Sequence, residues 1–177
     1  MPTEASTESP ELVADAGPLI HLDEMGCLDL LDDFPTVAVP GQVWQEVLRH
    51  RPAVLDNPPA NWQRLDVEIP RDQEFQALFK SFGLDLGEQA ALALMRQYPR
   101  AILITDDAAA RLAAKTLRYR AHGSLGILLR SIRRQQRTRT EILNLLHALP
   151  QISTLHLRDD FRREVIRAVE REHASEF

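Results

Sequence analysis

Five carboxylates in this 177-residue chain stand where short apolar runs give way to helical stretches. Asp15 closes "ELVAD", Asp106 and Asp107 close "ILITDD", Glu88 lies in the opening turn of "GEQAALALM", and Glu46 lies within "GQVWQEVLRH". Carboxylates gathered in one cleft repel one another and raise each other's pKa unless a cation is present. Oxygen-only donor sets suit Mg²⁺ or Mn²⁺, which keep several waters and complete their shells with substrate phosphates. The matching chemistry is phosphodiester hydrolysis, in which the cation makes water more acidic and steadies the leaving oxygen. Each acid also has a structural use. Asp85 and Glu88 form D-x-x-E, a capping box, Asp106 or Asp107 can N-cap the next helix, and Glu46 can be a surface glutamate. For Asp15 the alternative is weaker. Pro18 in the first helical turn puts the N-cap at Gly17, which leaves Asp15 at a strand end without a capping role.

These acids need elements to hold them. "ELVAD" reads as a short strand followed by a helix over Leu19, Ile20, Leu22 and Met25, and "CLDLLDDF" as a second short helix. "TVAVP" is a β-branched strand closed by Pro40, and "GQVWQEVLRH" a helix with Val43, Trp44, Val47 and Leu48 along one stripe. After a proline-rich loop, "QRLDVEIP" reads as an edge strand and Asp72 to Phe82 as a helix. Next come the helix "LDLGEQAALALMRQYP", the buried strand "RAILIT", the helix "DAAARLAAKTL" and the short strand "RYRAHG". Helices from about Leu125, Glu141 and Asp159 complete the chain. Strands alternating with helices predict a three-layer α/β/α sandwich with a central, mainly parallel sheet. Ligands of such sheets collect beyond the C-terminal strand ends. If the strands ending at Asp15 and at Thr105 are neighbours, the carboxylates share one rim.

Charge is unevenly spread along the chain. Ala108 to Thr140 carries nine Lys/Arg and no acid, whereas Met1 to Asp107 carries nineteen acids against seven Lys/Arg. Such a division suits a protein whose acids bind metal while a basic face meets phosphates; a solvated helix face with a basic loop is the plain alternative. Arg111 and Lys115 stand one turn apart beside the doubled aspartate, and Arg130, Arg133, Arg134 and Arg137 follow. The single cysteine, Cys27, excludes a disulfide framework and a cysteine-built zinc site. No phosphate loop or dinucleotide fingerprint is present, and the six histidines show no i, i+4 pair. Without an export signal or an apolar run of about 18 residues, the expected place is the cytoplasm and not a membrane.

The stretches "LVADAGPLIHLDEMGCLDLL", "VAVPGQVWQEV", "LDLGEQAALAL" and "ILITDDAAARLAA", in this order and spacing, resemble the PIN domain family, in particular the group containing VapC-type toxin ribonucleases. The similarity spans about residues 11–150. It implies a PIN-like α/β/α fold, an acidic cluster binding Mg²⁺ or Mn²⁺, and RNA cleavage. It gives catalytic and metal-binding roles to Asp15, Glu46, Glu88 and Asp107. The family's T-x-D pattern selects Asp107, with Asp106 a second ligand or a neighbour that orients Thr105. Two departures stand out: Gly17 occupies a place where the family usually has Ser or Thr, and Glu88 a place where Asp is commoner.

Two readings follow. In the first, the chain is a metal-dependent endoribonuclease, the toxin of a toxin–antitoxin pair, with Arg111, Lys115, Arg130, Arg133, Arg134 and Arg137 holding RNA. In the second, it is an inactive PIN-like module that binds RNA or protein. The expected organisation is a disordered tail over residues 1–10, a PIN-like domain over 11–155 and a C-terminal helical extension over 156–177. The family also implies an antitoxin partner and a homodimer, for which "LGILLRSI" and Phe161, Val165, Ile166 and Val169 are the candidate apolar faces, with core packing as the rival account.

Overall fold

The computed structural model describes residues 9–174, with side chains described as far as Arg171. All but Ser9 and Pro10 of the expected N-terminal tail therefore lies outside the described residues. Five strands, β1 (Leu12–Ala14), β2 (Val37–Pro40), β3 (Trp62–Leu65), β4 (Ile102–Ile104) and β5 (Arg120–His122), form one sheet in the order β3-β2-β1-β4-β5. Every pairing is parallel. Parallel strands need crossovers, and these are supplied by helices α1 (Ala16–Glu24), α2 (Gly41–His50), α3 (Gln73–Phe82), α4 (Leu86–Gln97) and α5 (Ala108–Thr116). Helices α6 (Ser124–Arg133), α7 (Arg139–Ile152) and α8 (Asp159–Ala174) follow.

Strands covered on both faces read as continuous apolar runs, and Leu12, Val13 and Ala14 are all fully buried. Successive side chains point to opposite faces. Leu12, Ala14, Val37, Val39 and Ile104 face a core shared with α1, α2, α6, α7 and α8. Val13, Ala38 and Leu103 face the other core, made by Phe75, Phe79 and the alanine-rich faces of α4 and α5. The two cores establish the three-layer sandwich. The candidate dimer faces go mainly inward: Ile127, Leu128, Val165, Ile166 and Val169 are buried within the chain, and Phe161 is partly exposed. Among the described residues, no helix is long and apolar enough to cross a membrane.

Local structure departs from the sequence reading in three places. Helix α1 starts at Ala16 and Asp15 is its N-cap, because proline is tolerated anywhere in the first turn, where amides lack intrahelical partners. The expected second helix is a 3₁₀ segment, Leu28–Asp33. Within the proline-rich loop, Pro52–Leu55 forms another.

Candidate active site

The strand order reverses between β1 and β4, which opens a crevice beyond their C-terminal ends. Ala14 pairs with Ile104, so Asp15 and Thr105 emerge side by side. The Asp15 amide donates to the Ile104 carbonyl at 2.9 Å. The Thr105 hydroxyl donates to Asp15 Oδ2 at 2.7 Å, and the Ala16 amide donates to Oδ1 at 2.9 Å. Both residues are buried. Burial pushes the Asp15 carboxyl up to about 6, against the lowering effect of these two hydrogen bonds and with help from the charges of Glu46 and Asp85.

Glu88 stands on the opening turn of α4. The Asp85 side chain caps the Glu88 amide at 2.9 Å, and Glu88 Oε2 accepts from the Asp85 amide at 2.9 Å. The expected capping box therefore forms. Burial raises the Glu88 carboxyl to about 7, and the charges of Asp85, Asp107 and Asp15 push in the same direction. Glu46, on the second turn of α2, is raised first by burial and next by Asp85. Its approach to α4 depends on Gly87: a Cβ there would lie 2.8 Å from Glu46 Oε2 and 3.4 Å from Asp85 Oδ1. Asp107 caps α5 through Oδ1, which accepts from the Ala110 amide at 2.7 Å, while the Asp107 amide donates to Thr105 Oγ at 3.2 Å.

The doubled aspartate is thereby divided between two duties. Asp106 is turned to the other side, where Oδ2 meets His21 Nδ1 at 2.7 Å and the Ser124 hydroxyl at 2.5 Å, and Oδ1 accepts from the Ser124 amide at 2.7 Å. Through these bonds Asp106 ties α1 and α6 to the β4–α5 loop. Gly17 has ordinary space for a side chain, its nearest neighbours being His21 and Asp106 at 3.6–3.9 Å from an added Cβ. Asp85, expected only as a cap, is the member of the acidic group that the sequence reading missed. Its position one turn ahead of Glu88 was the available signal.

The basic residues are not gathered at this rim. Helix α6 follows β5 and runs back along the sheet, so its C-terminal end lies at the opposite edge. There Arg130 pairs with Asp33 at 2.5 Å and stacks on Phe34, Arg134 pairs with Asp33 at 3.1 Å, and Arg137 pairs with Asp29 at 2.7 Å. The charge of Glu11, which precedes β1, also acts on Arg134. Arg133 lines a groove with Val165 and Val169. Arg111 stays near the crevice, donating to the Thr105 carbonyl at 3.0 Å, and Lys115 sits in the last turn of α5.

Five carboxylates thus act on one another, all through oxygen donors of the kind a hard cation takes. Among the described residues no group of three or more His, Cys, Asp or Glu side chains is placed to hold a metal ion. Mg²⁺ and Mn²⁺ take few protein ligands and keep several waters. A family model described as DUF3368, PIN domain, matches residues 11–171. No curated protein matches the sequence. With a five-stranded parallel sheet, acids meeting at its switch point and a match over nearly its whole length, the chain belongs to the PIN domain family.

Proposed function

We propose that the protein is a metal-dependent endoribonuclease that hydrolyses RNA phosphodiester bonds. The observation that carries this reading is that carboxylates from four segments share one rim, Asp15 feeling the charge of Glu46 and Glu88 those of Asp15 and Asp107, with Gly87 leaving room for the Glu46 carboxylate. These four residues would hold Mg²⁺ or Mn²⁺. The bound cation supplies Lewis acidity, offsetting charge that builds on phosphoryl oxygens and making water a stronger acid. The protein's part is to hold the donors in place. Thr105 fixes Asp15, the α5 amide of Ala110 fixes Asp107, and the capping box fixes Glu88, each carboxylate keeping capacity to accept more. Asp106, with His21 and Ser124, anchors the loop from which Thr105 and Asp107 project.

We extend the proposal to a toxin that acts in the cytoplasm and is restrained by an antitoxin protein, as the resemblance to VapC-type ribonucleases suggests; homodimerisation belongs to the same proposal. The capping roles of Asp15, Glu88 and Asp107 favour a second reading, a PIN-like module that binds RNA or protein without cutting. Calorimetric Mn²⁺ titration of wild type, Asp15→Asn and Asp107→Asn, with cleavage of single-stranded RNA followed in parallel, separates the two. Loss of Mn²⁺ binding and cleavage in both variants supports the nuclease. Absence of Mn²⁺ binding in the wild type supports the module.

A further inference from the structure

We propose that single-stranded RNA approaches the carboxylates along a track over α2 and the segment after β3, past Leu86 and Gln42 to Arg71. This assignment rests on the nuclease reading and names where its substrate lies. The cationic end of α6 is at the far edge of the sheet, and Arg130, Arg134 and Arg137 are partnered there by Asp29 and Asp33. Phosphates reaching the acidic rim need positive charge closer by.

Two clefts meet that need. One, of about 540 Å³, is bounded by Glu46, Arg49, His50, Asp85 and Leu86. The other, of about 730 Å³, runs from Val67 to Asp72 and across to Arg96. Both lie in the range of roughly 300–1,000 Å³ usual for ligand clefts. Gln42 lines both, so the two adjoin at its side chain.

Three features of this path suit an approaching single strand. Leu86 is the most exposed large apolar side chain among the described residues, 66% accessible, at the mouth of the acidic cleft. Apolar surface there gives a base a face to lie on. Gln42 Oε1 is buried without a hydrogen-bond partner. The Val67 carbonyl can only accept, which puts Nε2 towards it, at a long 3.4 Å. A small turn of that weakly held amide offers its oxygen to an N–H donor of a base. Arg49 and Arg71 form no ion pair within 4 Å among the described residues, although the charge of Arg49 acts on Glu46, whereas Arg96 is held by Asp72. The acids facing the path are Glu46 and Asp85 at the catalytic end, and Glu68 and the Arg96-paired Asp72 beyond Gln42. Arg49 and Arg71 therefore bracket the approach as phosphate contacts, with Leu86 and Gln42 as base contacts between them.

The test is fluorescence anisotropy of a labelled single-stranded decaribonucleotide on the full chain in EDTA, at a series of salt concentrations. Each phosphate contact on a single strand contributes about 0.7 to the slope of log affinity against log salt. Arg49→Gln and Arg71→Gln should each flatten the slope by about that much. Leu86→Ser should weaken binding with the slope unchanged, and Arg134→Gln should alter neither. A wild type that binds RNA while Arg49→Gln and Arg71→Gln keep its slope overturns the track and leaves the nuclease reading standing. A flatter slope in Arg134→Gln moves the contacts to the far edge and also overturns it. A wild type that binds no RNA in EDTA overturns the track, and the nuclease reading is then decided separately by Mn²⁺ binding and cleavage.

Discussion

Replacing Asp15 by Asn tests whether the acidic crevice is strained in the absence of a cation. Burial holds the Asp15 carboxyl at about 6 against an ordinary value of 3.8. At about 1.36 kcal/mol per pH unit, that rise opposes the ionised form by about 3 kcal/mol. The folded protein binds this proton more tightly than the unfolded chain does, so stability falls as pH rises from about 4 to about 6 and stays reduced above. Asn is neutral throughout. Its Oδ1 can accept from the Ala16 amide, and its Nδ2 can donate to Thr105 Oγ, which has lone pairs for both Nδ2 and the Asp107 amide. Asn also caps helices about as well as Asp. In EDTA at pH 8, Asp15→Asn should therefore exceed wild type by up to about 3 kcal/mol, or about 6–12 °C in melting temperature for a chain of this size. The gap should close towards pH 4. Mn²⁺ at a hundredfold excess over its Kd should add about 2.7 kcal/mol to wild type and almost nothing to the variant. The assay is thermal unfolding by circular dichroism at pH 4.5 and pH 8, with EDTA and with Mn²⁺. A variant melting below wild type at pH 8 in EDTA, or a gap that does not change with pH, would refute the reasoning.

Other expectations follow from the same geometry. Glu88, raised to about 7 by burial and neighbouring acids, has the same sign as Asp15, so wild-type stability in EDTA should decline steadily from about pH 4 to pH 7, as urea unfolding across that range will show. Gly87→Ala puts a methyl 2.8 Å from Glu46 Oε2. It should reduce Mn²⁺ affinity and RNA cleavage, while the better helix former raises melting temperature by an amount worth up to about 1 kcal/mol. The two aspartates should separate cleanly. Asp106→Ala loses the His21 and Ser124 contacts and should cost about 2 kcal/mol of stability. Asp107→Asn should leave stability almost unchanged and abolish cleavage, a contrast read from denaturant melts and gel assays on the same preparations.

Much of this molecule was legible in the chain order. Alternation of short apolar runs with amphipathic stretches sets the three-layer architecture, because a fully apolar strand such as Leu12–Ala14 must be covered on both faces. The D-x-x-E spacing determines the capping box at Asp85 and Glu88, since its bonds span three residues. Strand ends and helix starts likewise mark Asp15 and Asp107 as rim residues. Other features depended on partners distant in sequence. The start of α1 was misplaced because proline is permitted at several positions of a first turn, and the sequence does not say which. Asp106 and Asp107 are chemically identical neighbours. Only the arrival of His21 from 85 residues before Asp106, and of Ser124 from the start of α6, gives one a tethering role and leaves the other at the crevice. The arginine run shows the same limit. Its charge is a property of composition, but its location is fixed by α6 running back from the rim and by Asp29 and Asp33, 97 to 108 residues away, which pair with Arg130, Arg134 and Arg137. Charges close along the chain can be carried by a single helix from one edge of a sheet to the other, and Asp15 and Thr105, 90 residues apart, meet because β1 and β4 are neighbours.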